Sequence, residues 1–248
     1  MHRQAYFILT TILLASSSFF VNYHLSQELS VIEYGEFSIV FATIAIIIPF
    51  MLFGQATAIT SVYFSDEKTV CNNISCEILD SYKIMLLSSL VTSSFVFLVW
   101  GLLYVERYAF SFVAFLLLAT FFNSLKIYYL NIIVIFDEYK MYLLTVCASS
   151  FFLILAIVID PSVVGYFQAI IISSIALIIS GLYLHRKNCQ KSLSGIVFGK
   201  KELLILGWAA IPGMLVSSLN SYIDRLTLSY FFDLNIVAYY SLAAVLGV

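Results

Sequence analysis

The sequence predicts an all-α fold, a polytopic membrane helix bundle. Three observations carry that expectation. First, 62% of the 248 residues are apolar and only 10% are charged, whereas soluble domains sit nearer about 45–50% and about 25%. Second, the apolar residues fall in long runs bounded by charge, most of them close to the roughly 20 residues that a helical span requires. Third, mean hydropathy is +1.02. This composition excludes an ordinary soluble enzyme and a disordered chain. With 12 Lys+Arg against 14 Asp+Glu, it also leaves no basic face for nucleic acid. The cysteines Cys71, Cys76, Cys147 and Cys189 form no C-x-x-C pair, which points to neither a disulfide framework nor a metal site.

The spans follow in order. The first covers about Gln4 to Tyr23. It has Arg3 in front, but its apolar region is long and lacks an A-x-A-like site, unlike a cleaved signal peptide. The second runs from Gly35 to Phe64, interrupted by Pro49 and Gly54. The third covers Ile84 to Val105, the fourth Tyr108 to Phe136, the fifth Met141 to Ile159 and the sixth Val163 to Leu184. The seventh begins near Leu203 and continues at least to Ile223. An eighth starts near Ile236 and stops at Val248, too short to cross about 30 Å of hydrocarbon at about 1.5 Å per residue. The polar stretch from Ser65 to Lys83 reads as a cytoplasmic surface helix.

Lys and Arg in the loops set orientation. One side would hold Arg3, Lys68, Lys83, Lys140, Arg186, Lys187, Lys191, Lys200 and Lys201; the other holds Arg107 and Arg225. Nine against two places the N-terminus in the cytoplasm. Asn73-Ile74-Ser75 matches a glycosylation pattern but falls on the cytoplasmic side.

A shift of 203 residues lays Leu25-Ser26 on Leu228-Ser229, Ser18-Phe19-Phe20 on Ser221-Tyr222-Ile223, and Gly35-Glu36-Phe37-Ser38-Ile39 on Ala238-Tyr239-Tyr240-Ser241-Leu242. Span one then matches span seven. Six spans separate the copies, an even number, so the repeat is parallel. The expectation is a six-helix first lobe over residues 1–190 and the start of a second lobe over 191–248. The whole would be a twelve-span protein of roughly 400 residues, of which this chain is an N-terminal fragment.

Two stretches resemble a known family. One is Leu29-Ser30-Val31-Ile32-Glu33-Tyr34-Gly35-Glu36-Phe37-Ser38, followed by Phe53-Gly54-Gln55-Ala56. The other is Gly207-Trp208-Ala209-Ala210-Ile211-Pro212, then Ser221-Tyr222-Ile223-Asp224-Arg225, then Val237-Ala238-Tyr239-Tyr240-Ser241-Leu242. Together they resemble the Wzx-type O-antigen flippases, polysaccharide-biosynthesis transporters of the multidrug/oligosaccharidyl-lipid/polysaccharide exporter superfamily. Ala238 stands where that family more often has Gly. The resemblance implies two six-helix bundles around a central cavity. It further implies alternating access, with a lipid-linked sugar repeat unit moved across the bacterial inner membrane.

The residues themselves point to particular places. Ser30 and Glu33 have the spacing of a capping box that starts the second helix. Glu36, a turn deeper, faces either the interface or the cavity. Pro49, and Pro212 with Gly213, are hinge candidates, because proline removes a helix hydrogen bond; the alternative is a static bend.

Lys126 is the most informative residue. A charge that deep in a span costs about 3 kcal/mol on insertion scales and normally faces protein or water. Asn123 stands one turn before it, and Thr120, Ser124 and Asn131 adjoin at helical spacing. The ammonium would attract a pyrophosphate-linked sugar; snorkelling or a structural pair with a carboxylate is the alternative. Asp224-Arg225 is the second candidate. It is either an interfacial ion pair or a coupling site, with Asp224 taking a proton or sodium and Arg225 the anionic head group. Gln55, Gln168 and Asn220 would contact substrate or hydrogen-bond between helices.

No H-E-x-x-H, G-x-S-x-G or P-loop occurs, so the expectation is a transporter without enzymatic activity and without a cofactor. Its partners would be a lipid-linked oligosaccharide, membrane lipid, a coupling ion and other polysaccharide-assembly proteins. A cation-coupled multidrug exporter of the same superfamily is the alternative, followed by a membrane polysaccharide polymerase or ligase.

Overall fold

The computed structural model describes residues 2–65, 74–104, 110–135, 138–189 and 200–246. Every regular element among them is an α-helix: α1 (His2–Glu28), α2 (Val31–Leu52), α3 (Gln55–Ser65), α4 (Ile74–Tyr104), α5 (Phe110–Ile135), α6 (Tyr139–Ile159), α7 (Val163–Cys189), α8 (Lys200–Phe231) and α9 (Leu234–Leu246). Among the described residues seven of these helices are long and apolar enough to cross a membrane, with α9 a shorter apolar helix. The chain is a multi-pass membrane protein with an all-α bundle fold. Helices suit this setting because each satisfies its own backbone hydrogen bonds where no water is present.

The turn from α1 into α2 is written locally. Ser30 caps α2: the Glu33 amide donates to Ser30 Oγ at 3.3 Å, and the Ser30 amide donates to Glu33 Oε2 at 2.9 Å. This is the expected capping box, and it places a carboxylate at the positive end of the helix.

Two expectations about boundaries are corrected. Residues 74–83 do not form a separate surface helix. They are the first turns of α4, where Lys83 Nζ lies 3.3 Å from Asp80 Oδ1; residues 66–73, including Lys68 and Asn73, lie outside the described residues, as do Arg107 and Lys191 of the orientation count. The second span is interrupted at Gly54, as expected, but not at Pro49, which is buried inside a continuous α2. The break falls at Phe53 and Gly54, both left-handed, with φ of 48° and 62°. The carbonyls freed there find partners. Phe50 O accepts from Ser88 Oγ at 2.6 Å, Met51 O from Ser89 Oγ at 3.1 Å, and Phe53 O from Gln55 Nε2 at 3.3 Å. A broken helix inside a membrane is tolerated on that condition.

Two large apolar clusters hold the bundle. One joins Val21 and Leu25 of α1, Phe37 and Ile44 of α2, Leu116 of α5, Phe167 of α7 and Ala238 of α9. The other joins Leu52, Ile59 of α3, Met85 of α4, Tyr128 of α5 and Leu203 of α8. Helices α8 and α9 thus pack against α2 and α3 within the same clusters. Gly54 faces Gly207 and Phe41 faces Tyr222, so α2 and α8 run antiparallel.

Candidate functional site

A polar cavity of about 190 Å³ lies inside the bundle. Its walls come from five helices: Ser17, Ser18 and Asn22 of α1, Phe41 of α2, Asn123 and Lys126 of α5, Ser150 of α6, and Tyr166 and Ser173 of α7, among others. Phe41, Asn123, Lys126, Ser150 and Ser173 lie near the middle of their spans, while Asn22 and Tyr166 lie nearer one end; the spans run Ala5–Glu28, Val31–Leu52, Ser111–Ile135, Tyr139–Ile159 and Val163–Tyr183. The cavity therefore sits at membrane depth. Along α5 it falls where the two apolar clusters meet, between Ala119 and Tyr128.

Lys126 supplies the charge. The side chain is half-buried and lines this cavity, so it faces inward instead of snorkelling along lipid. It makes no ion pair with any described residue. No carboxylate is among the lining residues. Around it stand donors and acceptors: the carboxamides of Asn22 and Asn123 and four serine hydroxyls. Asn22 donates to Ser18 O at 2.8 Å and Ser173 to Ile170 O at 3.0 Å, while the buried Ser150 hydroxyl has no partner. An uncompensated ammonium with neutral hydrogen-bonding groups selects an anion.

The sequence-predicted polar arc around Lys126 divides. Asn123 joins the cavity. Thr120 and Ser124 are buried and donate within their own helix, to Leu116 O at 2.7 Å and Thr120 O at 2.9 Å. Asn131 does the same, to Ile127 O at 2.8 Å.

The Asp224 and Arg225 side chains form no salt bridge, although the Arg225 amide donates to Asp224 Oδ1 at 2.7 Å, and both residues lie inside α8 and not at its end. Asp224 Oδ2 accepts a hydrogen bond from the Tyr240 hydroxyl of α9. The Arg225 guanidinium lies over the Tyr222 ring, 5.4 Å from its centroid, a cation–π contact. Its Nε is buried without a hydrogen-bond partner. The interfacial ion pair entertained from sequence is thus replaced by two separate attachments.

The remaining candidates scatter. Gln55 is fully buried, and its Nε2 donates to Leu203 O of α8 at 3.2 Å, which is the helix–helix reading. Gln168 and Asn220 are exposed and line no described wall of the Lys126 cavity. Helix α8 passes unbroken through Pro212, and a Cβ at Gly213 would meet open space.

What sequence reading missed is the α1 wall, Ser17, Ser18 and Asn22. Ser17 and Ser18 belong to a run, Ser16 to Ser18, of small residues of the kind that lets helices approach closely, and nothing in the spacing distinguishes packing from cavity lining.

No family model matches the chain, and no curated protein matches it. A solved structure named "protein A" superposes over 99% of this chain with a TM-score of 0.62 at 14% identity. The chain spans 59% of the length of that structure. At this identity the likeness concerns the fold alone.

Proposed function

We propose that this chain is part of a flippase that carries a polyprenyl-pyrophosphate-linked oligosaccharide repeat unit across the bacterial inner membrane by alternating access. The repeat unit would be that of an O-antigen or of a capsular or exopolysaccharide, and the N-terminus would be cytoplasmic. The observation that carries the reading is the mid-membrane cavity with Lys126 as its charge and no carboxylate in its lining. A diphosphate group needs a cation at that depth, because an anion in hydrocarbon is as costly as a cation. The carboxamides and hydroxyls beside Lys126 suit the hydroxyl-rich sugar that follows. The two stretches that resemble the Wzx-type family point the same way, and a proton or sodium ion would drive the cycle.

A cation-coupled drug exporter would need the opposite sign in the cavity, an acidic group to hold a cationic drug. The described lining offers none.

The test is complementation. The full-length gene is expressed in a strain lacking its own flippase but making a matched repeat unit. Restored surface polysaccharide supports the reading, and continued accumulation of lipid-linked repeat units inside the cell sinks it.

A further inference from the structure

Two cations without salt-bridge partners among the described residues are linked by a chain of aromatic contacts. Lys126 is at one end, in the cavity. Phe41 and Tyr166 form part of that cavity's wall, and their rings pack at 6.1 Å, with Phe37 behind them against Tyr166 at 4.9 Å, edge to face. Phe41 also packs against Tyr222 of α8, at 5.6 Å and 74°, and Tyr222 is not among the cavity's lining residues. Tyr222 in turn carries Arg225. The order is therefore Lys126 cavity, Phe41 with Tyr166, Tyr222, Arg225.

Arg225 has the marks of a site. It is half-buried within a membrane span, its Nε has no hydrogen bond, and the adjacent carboxylate is turned to Tyr240. Tyr34 of α2, whose buried hydroxyl also has no partner, lies within electrostatic reach of the guanidinium. Unpaired donors of this kind are costly inside a membrane, and an anion with several acceptor oxygens satisfies them together.

The two helices that meet at this contact are fastened unequally. At one end of the α2–α8 pair the backbones touch at Gly54 and Gly207, and Gln55 bonds to Leu203 O. At the other end, about 20 Å along α2 at about 1.5 Å per residue, they meet through the Phe41–Tyr222 ring contact and the electrostatic approach of Tyr34 to Arg225, with no hydrogen bond between them among the described interactions. Rings in van der Waals contact part without breaking a hydrogen bond.

Building on the reading of the Lys126 cavity as a transport site, we infer that Arg225 is a second anion station and that the Phe41–Tyr222 contact is the barrier between it and Lys126. The phosphate group of the substrate meets Lys126 and Arg225 in turn. Tyr222, on the helix that is fastened at its other end by Gly207 and Leu203, is the half of the barrier that moves.

The test uses the full-length protein in membranes, with native cysteines replaced by serine and Asn123→Cys introduced as a reporter inside the cavity. A membrane-impermeant maleimide is applied and the labelling rate is read. Tyr222→Ala should raise the rate several-fold, while Tyr222→Phe, which keeps the ring, should leave it unchanged. Phe41→Ala removes the same contact from the other helix and should match Tyr222→Ala, which guards against a folding defect in either variant. Equal rates in all four proteins would overturn the barrier. For the station, inorganic pyrophosphate is titrated as protection against labelling in the Tyr222→Ala background. Adding Arg225→Gln should raise the concentration needed several-fold, and no change would overturn it. Labelling is read without transport, so a protein that moves no oligosaccharide sinks the flippase reading while the barrier is still decided on its own.

Discussion

Gly54 and Gly207 face each other so closely that neither position has room for a side chain. A Cβ on Gly54 would strike the Gly207 carbonyl oxygen, and a Cβ on Gly207 would strike Gln55 Nε2 and come within 2.5 Å of Phe53 O. Gly54 also holds φ of 62°, which L-residues adopt only with strain. Both Gly54→Ala and Gly207→Ala should therefore lower stability in detergent, the former by about 1–3 kcal/mol from backbone strain before any clash is counted. Gly213→Ala is the contrast. It meets open space and gains helix propensity of about 1 kcal/mol. Thermal unfolding midpoints of the three variants check this, and a Gly213→Ala midpoint as low as the other two would refute the distinction.

Lys126→Ala should cost transport more than abundance. Losing one charge-assisted hydrogen bond removes about 1.5–3 kcal/mol, about tenfold or more in apparent affinity. Lys126→Arg keeps the charge and should be tolerated better. Surface polysaccharide normalised to membrane protein level is the measurement. Equal values for Lys126→Ala and the parent would remove Lys126 from the mechanism.

Gln55→Ala should behave differently. Its Nε2 bonds to Leu203 O and to Phe53 O in a fully buried setting. Removal leaves backbone carbonyls short of a donor, at about 1–3 kcal/mol. Stability should fall while transport per folded molecule stays near the parent. A normal unfolding midpoint with lost transport would instead make Gln55 a substrate contact.

The Asp224–Tyr240 hydrogen bond joins α8 to α9. Asp224→Asn and Tyr240→Phe should each weaken that junction, and the double variant should be less than additive, with coupling near the ~0.6 kcal/mol typical of hydrogen bonds inside membranes. A double-mutant cycle on the unfolding midpoint measures it. Additive effects would show that the hydroxyl and the carboxylate do not act together.

Much of the fold was legible along the chain. Seven spans and one short apolar helix could be placed from hydropathy because burial in lipid imposes a length and a composition on each segment separately. The capping box at Ser30 and Glu33 was legible because both partners lie within one turn. Lys126 stood out because a charge inside a span needs a reason wherever it points. The break in the second span was foreseen at two residues, Pro49 and Gly54, and only the second is one. Proline is the obvious breaker by propensity, yet Pro49 is accommodated inside α2 and the chain turns at Phe53 and Gly54, where Ser88, Ser89 and Gln55 supply the missing donors. Ser88 and Ser89 belong to another helix, so no local rule reaches them.

By itself the sequence determined the class of molecule, the number and approximate limits of its spans, and the lysine within a span, Lys126, that a site would be built around. The tertiary structure decided which polar residues share a space. Asn123, Asn22 and Ser150 share a cavity with Lys126, while Gln168 and Asn220 are exposed and the Asp224 side chain bonds to Tyr240 and makes no salt bridge with the Arg225 guanidinium. The reason lies in the solvent. In water an apolar stripe marks the inward face of a helix. In a bilayer lipid and protein core are equally apolar, so the stripe disappears. Which face turns inward is then set by close contacts such as Gly54 against Gly207, and these form only when distant segments pack.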